Sequence, residues 1–172
     1  MKISIVVPSF NQAKYLRQCL ESILKQDRRP DEIFVLDGGS TDGSVEIIRE
    51  FESQLTYWRS HKDRGQSAAI NEGFAMASGD CLAWLNSDDC YLPSALSAIE
   101  RAMETSDAEI VYGSYLKIDH NDRVFALRVQ PRVRRTLVRY AYQTISQPAS
   151  AFRRSMFTRL GMLREDLYYT MD

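Results

Sequence analysis

The chain is poor in the residues that would announce a metal staple or a covalent scaffold, with three cysteines and two histidines in 172 residues. Cys19, Cys81 and Cys90 show neither a CxxC pair nor a Cys/His ligand spacing. That excludes a disulfide framework and a structural zinc, and the three read as reduced packing residues. Long apolar runs are also missing. Ile3 to Val7 falls far short of the roughly 20 residues of a membrane span and lacks the cleavage-site pattern of a signal peptide. The expected setting is therefore the cytoplasm. There is no GxGxxG, and no Lys-Ser or Lys-Thr follows Gly38-Gly39, which excludes a Walker-type NTPase. Internal repeats and low-complexity linkers are absent too.

Charge is nearly balanced overall and very unevenly spread. From Arg123 to Arg164 there are ten Arg and no Lys, Asp or Glu, so this stretch carries +10 in a chain of net charge -1, and the remainder carries -11. A basic half can simply dock on an acidic one. The all-Arg composition also suits oxyanion contact, because a planar guanidinium matches phosphate bidentately. The aromatics are not interleaved with these Arg as a stacking platform requires, so nucleic acid is not the expected partner.

What is present is an alternation of strand and helix patterns over the first 112 residues. Ile3 to Val7 is a β-branched apolar run closed by Pro8, which cannot donate to a central ladder. Asn11 stands at an N-cap position, followed by Leu16, Cys19, Leu20, Ile23 and Leu24 at helical spacing. Glu32 to Asp37 reads as the second strand, 38–43 as a glycine-rich turn and Val45 to Phe51 as a helix with Ile47, Ile48 and Phe51 inward. Leu55 to Arg59, Cys81 to Leu85 and Ile110 to Tyr112 supply further strands. Ser67 to Met76 and the stretch from Pro93 to about Thr105 supply helices. The 44% hydrophobic content suffices for one sizeable core. The fold class is α/β, a Rossmann-like, mostly parallel sheet with helices on both faces. Beyond residue 113 the pattern weakens into shorter strands and an Arg-rich helical candidate at Arg132 to Tyr142. Residues 1–112 and 113–172 are read as two halves of one domain.

Ligands of such sheets bind beyond the carboxyl ends of the strands. That rule selects Pro8 to Asn11, Asp37, His61 to Gln66 and Asn86 to Asp89. Asp88 and Asp89 are adjacent carboxylates at the end of an apolar strand, where joint ionisation is costly unless a cation neutralises them. They are either turn chemistry or a divalent metal site. Asp37 can accept an imide N–H from a nucleotide base, or cap the turn that follows it. Asp63 and Gln66 can bond a base or ribose edge, with Gly65 permitting close approach, or be plain loop residues. Asp172 ends an apolar, aromatic stretch, where desolvation would raise a carboxyl toward general-base use.

Taken together, VVPSFNQ at 6–12, VLDGGSTDGS at 35–44, DRGQSAAINEG at 63–73, GDCLAWLNSDDCYLP at 79–93 and QPASAFRR at 147–154 resemble glycosyltransferase family 2. These are inverting enzymes of the GT-A fold, and the motifs arrive in family order over nearly the whole chain. The resemblance implies transfer from a nucleotide-sugar donor, most simply a UDP-sugar, to a carbohydrate or lipid-linked acceptor in polysaccharide or glycolipid synthesis. It implies that Pro8, Ser9 and Asn11 line the nucleotide, that Asp37 reads the base and that Asp63 completes the pocket. Asp88 and Asp89 match the end of the DxD-type motif, Asp89 ligating Mn²⁺ or Mg²⁺ and Asp88 lying near ribose or metal. Asn86 stands where many members carry the first Asp, which implies one carboxylate fewer and greater reliance on the bound diphosphate. Asp172 matches the general base, with Met171 in place of the usual Glu. Members continue past that base, so a truncated C-terminus is expected, and the Arg-rich stretch would flank an acceptor at the inner membrane face. A nucleotidyltransferase is the competing enzyme reading, disfavoured by the uncharged Pro8 to Gln12. A non-catalytic nucleotide-sugar-binding module is the other alternative.

Overall fold

Every residue of β1 (Ile3–Ser9) is buried, which puts this strand at the centre of the sheet. The computed structural model describes residues 1–133, 139 and 145–167. In it β1 leads to α1 (Ala13–Leu24), β2 (Glu32–Asp37), α2 (Ser44–Phe51), β3 (Tyr57–Ser60) and α3 (Gln66–Met76). Then come β4 (Cys81–Trp84), α4 (Ala95–Glu104), β5 (Ile110–Tyr112), a hairpin of β6 (Tyr115–Ile118) and β7 (Val124–Arg128), β8 (Ser150–Arg153) and α5 (Arg154–Leu160). Strand order in the main sheet is β3-β2-β1-β4-β8-β5, and β6-β7 form a separate two-stranded sheet. β1 pairs in parallel with β2 and β4, and β2 with β3.

Alternation along β1 divides the core in two. Ile3, Ile5 and Val7 join Leu16, Leu20 and Ile23 of α1, Ile48 of α2 and Leu96 of α4 on one face. Val6 joins Phe34, Leu36 and Trp84 with Ile70 and Phe74 of α3 and Phe157 of α5 on the other. The expected layering of helices on both faces is thus the observed one. The second core carries an aromatic cluster in which Trp84 stacks on Phe152 with centroids 5.3 Å apart and Phe157 packs on Phe74 at 4.9 Å. Cys19 and Cys81 are free thiols within the first core.

The structure departs from the sequence reading in four places. β8 inserts antiparallel between β4 and β5, so the sheet is mixed at that side. Four residues carry too little periodicity to reveal the insertion. Pro8 does not end β1, which runs on to Ser9. The Leu85 amide donates to the Val6 carbonyl, so Val6 and, two residues on, Pro8 face β4; pairing with β4 stops at Val6, and the missing N–H has no ladder to serve. Asn11 is not the cap of α1. It takes φ 52, and the helix begins at Ala13 behind Gln12, which makes no side-chain cap bond. Two of the Arg taken for ligand contacts close helix ends instead. Arg153 donates to the carbonyls of Met103 in the last turn of α4 and of Ser106 and Ala108 beyond it, and Arg154 to those of Ala77 and Gly79 after α3. Most of the helical candidate at 132–142 lies outside the described residues. Among the described residues no helix is long and apolar enough to cross a membrane.

α3 sits so close to the sheet that a Cβ at Gly73 would lie 2.6 and 2.7 Å from the Val6 methyls. Ala there gains helix propensity of about 1 kcal/mol but forces the helix outward, which typically costs about 1–3 kcal/mol. We expect Gly73→Ala to be net destabilising in urea unfolding, and Val6→Ala in the same chain to relieve part of that loss.

Candidate functional site

Parallel pairing brings four loops to one edge, where they surround a cavity of about 680 Å³. β1 contributes Pro8, Ser9 and Phe10, with Gln12 behind them, and β2 contributes Leu36, Gly38 and Gly39. The loop from β3 into α3 adds Lys62, Asp63, Gly65 and Gln66, and the turn after β4 adds Asn86, Ser87 and Asp88. Of the sequence candidates, Pro8, Ser9, Asp63, Gln66 and Asp88 therefore meet at one cavity. Ser9 Oγ is buried and, among the described residues, has no hydrogen-bond partner. A buried hydroxyl left unpaired at a cavity wall is the kind of group a ligand satisfies.

Asp37, Asn11 and Asp89 do not line the cavity, each for a definable reason. The Asp37 carboxylate is fully buried. It accepts the amides of Gly39 and Ser40 at 3.0 and 2.8 Å, the Ser60 hydroxyl at 2.6 Å and the Ser40 hydroxyl. These bonds let Asp37 shape the glycine loop, three of them falling on Oδ2 and one on Oδ1. Asn11 works the same loop from the other side. Its Oδ1 accepts the Thr41 amide at 3.0 Å while its own amide donates to Ser40 Oγ at 2.8 Å. The Asp89 amide closes a tight turn on the Asn86 carbonyl at 3.0 Å. Asp88 faces the cavity, and Asp89 lies half-buried behind the turn near Cys19, Cys90 and Tyr91. Of the two carboxylates expected at a cation, Asp88 lines the cavity and Asp89 does not. Asp172 lies outside the described residues.

One buried guanidinium holds the third loop in place. Arg59 on β3 donates to the Asp37 carbonyl at 2.6 Å, to Asp63 Oδ2 at 3.0 Å and to both carboxylate oxygens of Glu72 on α3, at 3.2 and 2.6 Å. Asp63 Oδ1 in turn accepts the Gly65 amide at 2.9 Å. Gly65, at φ 109, adopts a backbone that side chains resist, which lets the loop turn directly into α3. Gln66 Nε2 then reaches across to Asn86 Oδ1 at 2.6 Å, joining the loop to the turn after β4. Asp63 is thus part of an ion-paired frame, with Lys62 as the cation on the cavity side.

Sequence reasoning placed Lys62 and Phe10 inside the strand-tip segments but gave neither a role. A cation next to an acid at a strand tip, and an aromatic placed where polar residues gather, were the signals available. Phe10 is largely exposed, and a Cβ on Gly38 would sit 3.2 Å from its ring. The glycine therefore gives the ring its room.

A mostly parallel sheet with helices on both faces and a polar, partly cationic cavity at its strand tips defines an α/β domain built to take a ligand at that edge. The chain belongs to glycosyl transferase family 2, whose description it matches over residues 4–161. It is similar to an uncharacterized glycosyltransferase, alr2836, of Nostoc sp., 36% identical over 126 residues, which cover 72% of this chain and 39% of that protein. Glycosyltransferase GlyG of Streptococcus pneumoniae is 34% identical over 126 residues, covering 72% of this chain and 42% of that one. The chain thus spans less than half the length of these two relatives. Among solved structures, S. aureus TarS 1–349 in complex with UDP superposes with a TM-score of 0.77 at 22% identity, over 99% of this chain and 52% of that one. Mannosyltransferase PcManGT from Pyrobaculum calidifontis, in complex with GDP-Man and Mn²⁺, gives 0.72 at 20% identity, over 96% and 48%. At these identities the structures establish the fold.

Burial, and after it the charge of Asp88, pushes the Asp89 carboxyl up to about 6 from its ordinary 3.8. The unfolded chain releases this proton first, so the fold loses stability as pH climbs from about 4 to about 6, and the loss persists above that range. We expect Asp89→Asn to stabilise the chain by about 1–2 kcal/mol at pH 7.5 and by little at pH 4. Urea unfolding at the two values measures it, and equal shifts would refute it.

Proposed function

We propose that this chain carries the donor-binding part of an inverting glycosyltransferase that uses a nucleoside diphosphate sugar, with UDP as the preferred nucleotide. The observation that carries the reading is the convergence of an aromatic face, an unpaired buried hydroxyl, an ammonium and a carboxylate on one cavity, from Phe10, Ser9, Lys62 and Asp88. Phe10 offers a ring for a base to stack on. Ser9 Oγ donates to a ribose or phosphate oxygen, and Lys62 draws the diphosphate toward the loop before α3. UDP and UDP-GlcNAc in the TarS structures, and GDP-Man in PcManGT, support a nucleotide-sugar ligand for this cavity.

Asp88, with Asn86 beside it, offers oxygen donors only, the chemistry that suits Mn²⁺ or Mg²⁺. Among the described residues no cluster of three or more His, Cys, Asp or Glu is arranged to hold a metal, so the nucleotide's own phosphates would complete the shell. Such a cation supplies neutralisation of charge on the departing diphosphate. The acceptor hydroxyl attacks the anomeric carbon from the face opposite the diphosphate and inverts it. Asp172, assigned by family motif, takes the hydroxyl proton, a step typically worth about 10²- to 10⁴-fold. The acceptor is a carbohydrate or lipid-linked saccharide, and the free thiols accord with a reducing, cytoplasmic setting.

Calorimetry with UDP should show tighter binding with Mn²⁺ than with EDTA, and Asp88→Asn should abolish that increment while leaving metal-free binding. GDP binding tighter than UDP would reassign the nucleotide, and absence of both would sink the reading. Asp172→Asn should lower donor-dependent transfer by at least about 10²-fold with UDP affinity unchanged. Undiminished turnover would remove the base assignment.

A further inference from the structure

The β6–β7 hairpin lies apart from the main sheet, and exposed apolar side chains gather on it and on the segment that follows it. Of twelve large apolar side chains exposed among the described residues, six belong to 118–133. Val124 is 58% exposed, Phe125 66%, Leu127 61% and Val129 72%. Pairing explains part of this. The register slips between Lys117↔Ala126 and Ile118↔Val124, leaving Phe125 with no residue opposite it. A two-stranded ribbon that shows this much apolar surface to water is marginal by itself, and surface of this kind marks a docking face.

The ribbon is also anchored and charged. Tyr112 of β5 donates its hydroxyl to the Pro131 carbonyl at 3.0 Å and accepts the Val133 amide at 2.8 Å, which fixes the chain where it leaves β7. Arg123, Arg128 and Arg132 are exposed and form no ion pair among the described residues, unlike Arg159 and Arg164, which pair with Glu109 and Asp166. The acids of the ribbon, Asp119 and Asp122, stand at its turn, and Asp119 Oδ1 is held by the amides of Asn121 and Arg123.

We propose that this hairpin docks the protein on an anionic phospholipid surface, Phe125, Leu127 and Val129 entering the headgroup boundary and Arg123, Arg128 and Arg132 meeting lipid phosphates. Charge selects this occupant. A second copy would bring the same unpaired guanidinium groups toward one another, whereas an anionic surface neutralises them. The proposal extends the lipid-linked acceptor reading, but vesicle binding needs no sugar donor, so its failure leaves the transferase reading standing.

Co-sedimentation of the 172-residue chain with vesicles tests it, using phosphatidylcholine alone and equal parts phosphatidylcholine and phosphatidylglycerol. Binding is expected to the mixed vesicles at low salt, and at least about tenfold more weakly to phosphatidylcholine or at high salt. Phe125→Ser with Leu127→Ser should weaken it about tenfold or more while UDP affinity and melting temperature hold. Phe125→Trp adds a measurement on an intact fold, with its emission shifting to the blue on the mixed vesicles. The proposal is overturned if the unmutated chain ignores the mixed vesicles at low salt. It is overturned equally if the Ser variant binds as well, or if sedimentation reveals a dimer that the Ser substitutions dissolve.

Discussion

Parallel pairing on both sides of β1 is the constraint from which the rest of the molecule follows. Because β1 hydrogen-bonds in parallel with β2 and with β4, and β2 with β3, their carboxyl ends must emerge at one edge. Each chain segment leaving that edge has to turn back over a face of the sheet as a helix. The turns cannot avoid meeting, and the cavity is where they meet. Small, polar and charged residues gather there because backbone groups at strand tips have no further ladder to pair with and must find side chains, neighbouring turns or a bound molecule.

Charge in this protein does two kinds of work that sequence alone cannot separate. Arg59 is buried, and its hydrogen bonds join β2, the cavity loop and α3. Removing one partner of such a buried pair typically costs about 3–5 kcal/mol, because the other is left uncompensated. Arg153 and Arg154 satisfy carbonyls beyond helix ends, a structural use of cations at the negative pole of the helix dipole. The Arg of the hairpin have no such employment. Among the described residues the Arg-rich run thus contains cations that hold the fold and cations that face outward.

Fold and edge were legible in the sequence because they depend on periodicity. Strongly apolar runs at Ile3–Val7 and Ile33–Leu36 and helical spacing from Leu16 to Leu24 admit few other arrangements. Individual side-chain directions were less legible. Asp88 and Asp89 are adjacent and identical, and only the tight turn closed on the Asn86 carbonyl sends one into the cavity and the other behind it. Asp37 ends a strand as expected, yet Gly39, at φ 87, bends the backbone until its own amide and that of Ser40 fold onto the carboxylate. β8 was invisible for a third reason. Its four residues owe their strand conformation to the neighbours on either side, Leu82 and Ile110, which are distant in sequence.

Pro8 sits where β1 and β4 begin to part, its ring nitrogen turned toward the gap. With any other residue an amide hydrogen would stand there, beyond the last β1–β4 pair. The imino acid carries no such donor, so the two strands can separate at the mouth of the cavity without stranding an N–H.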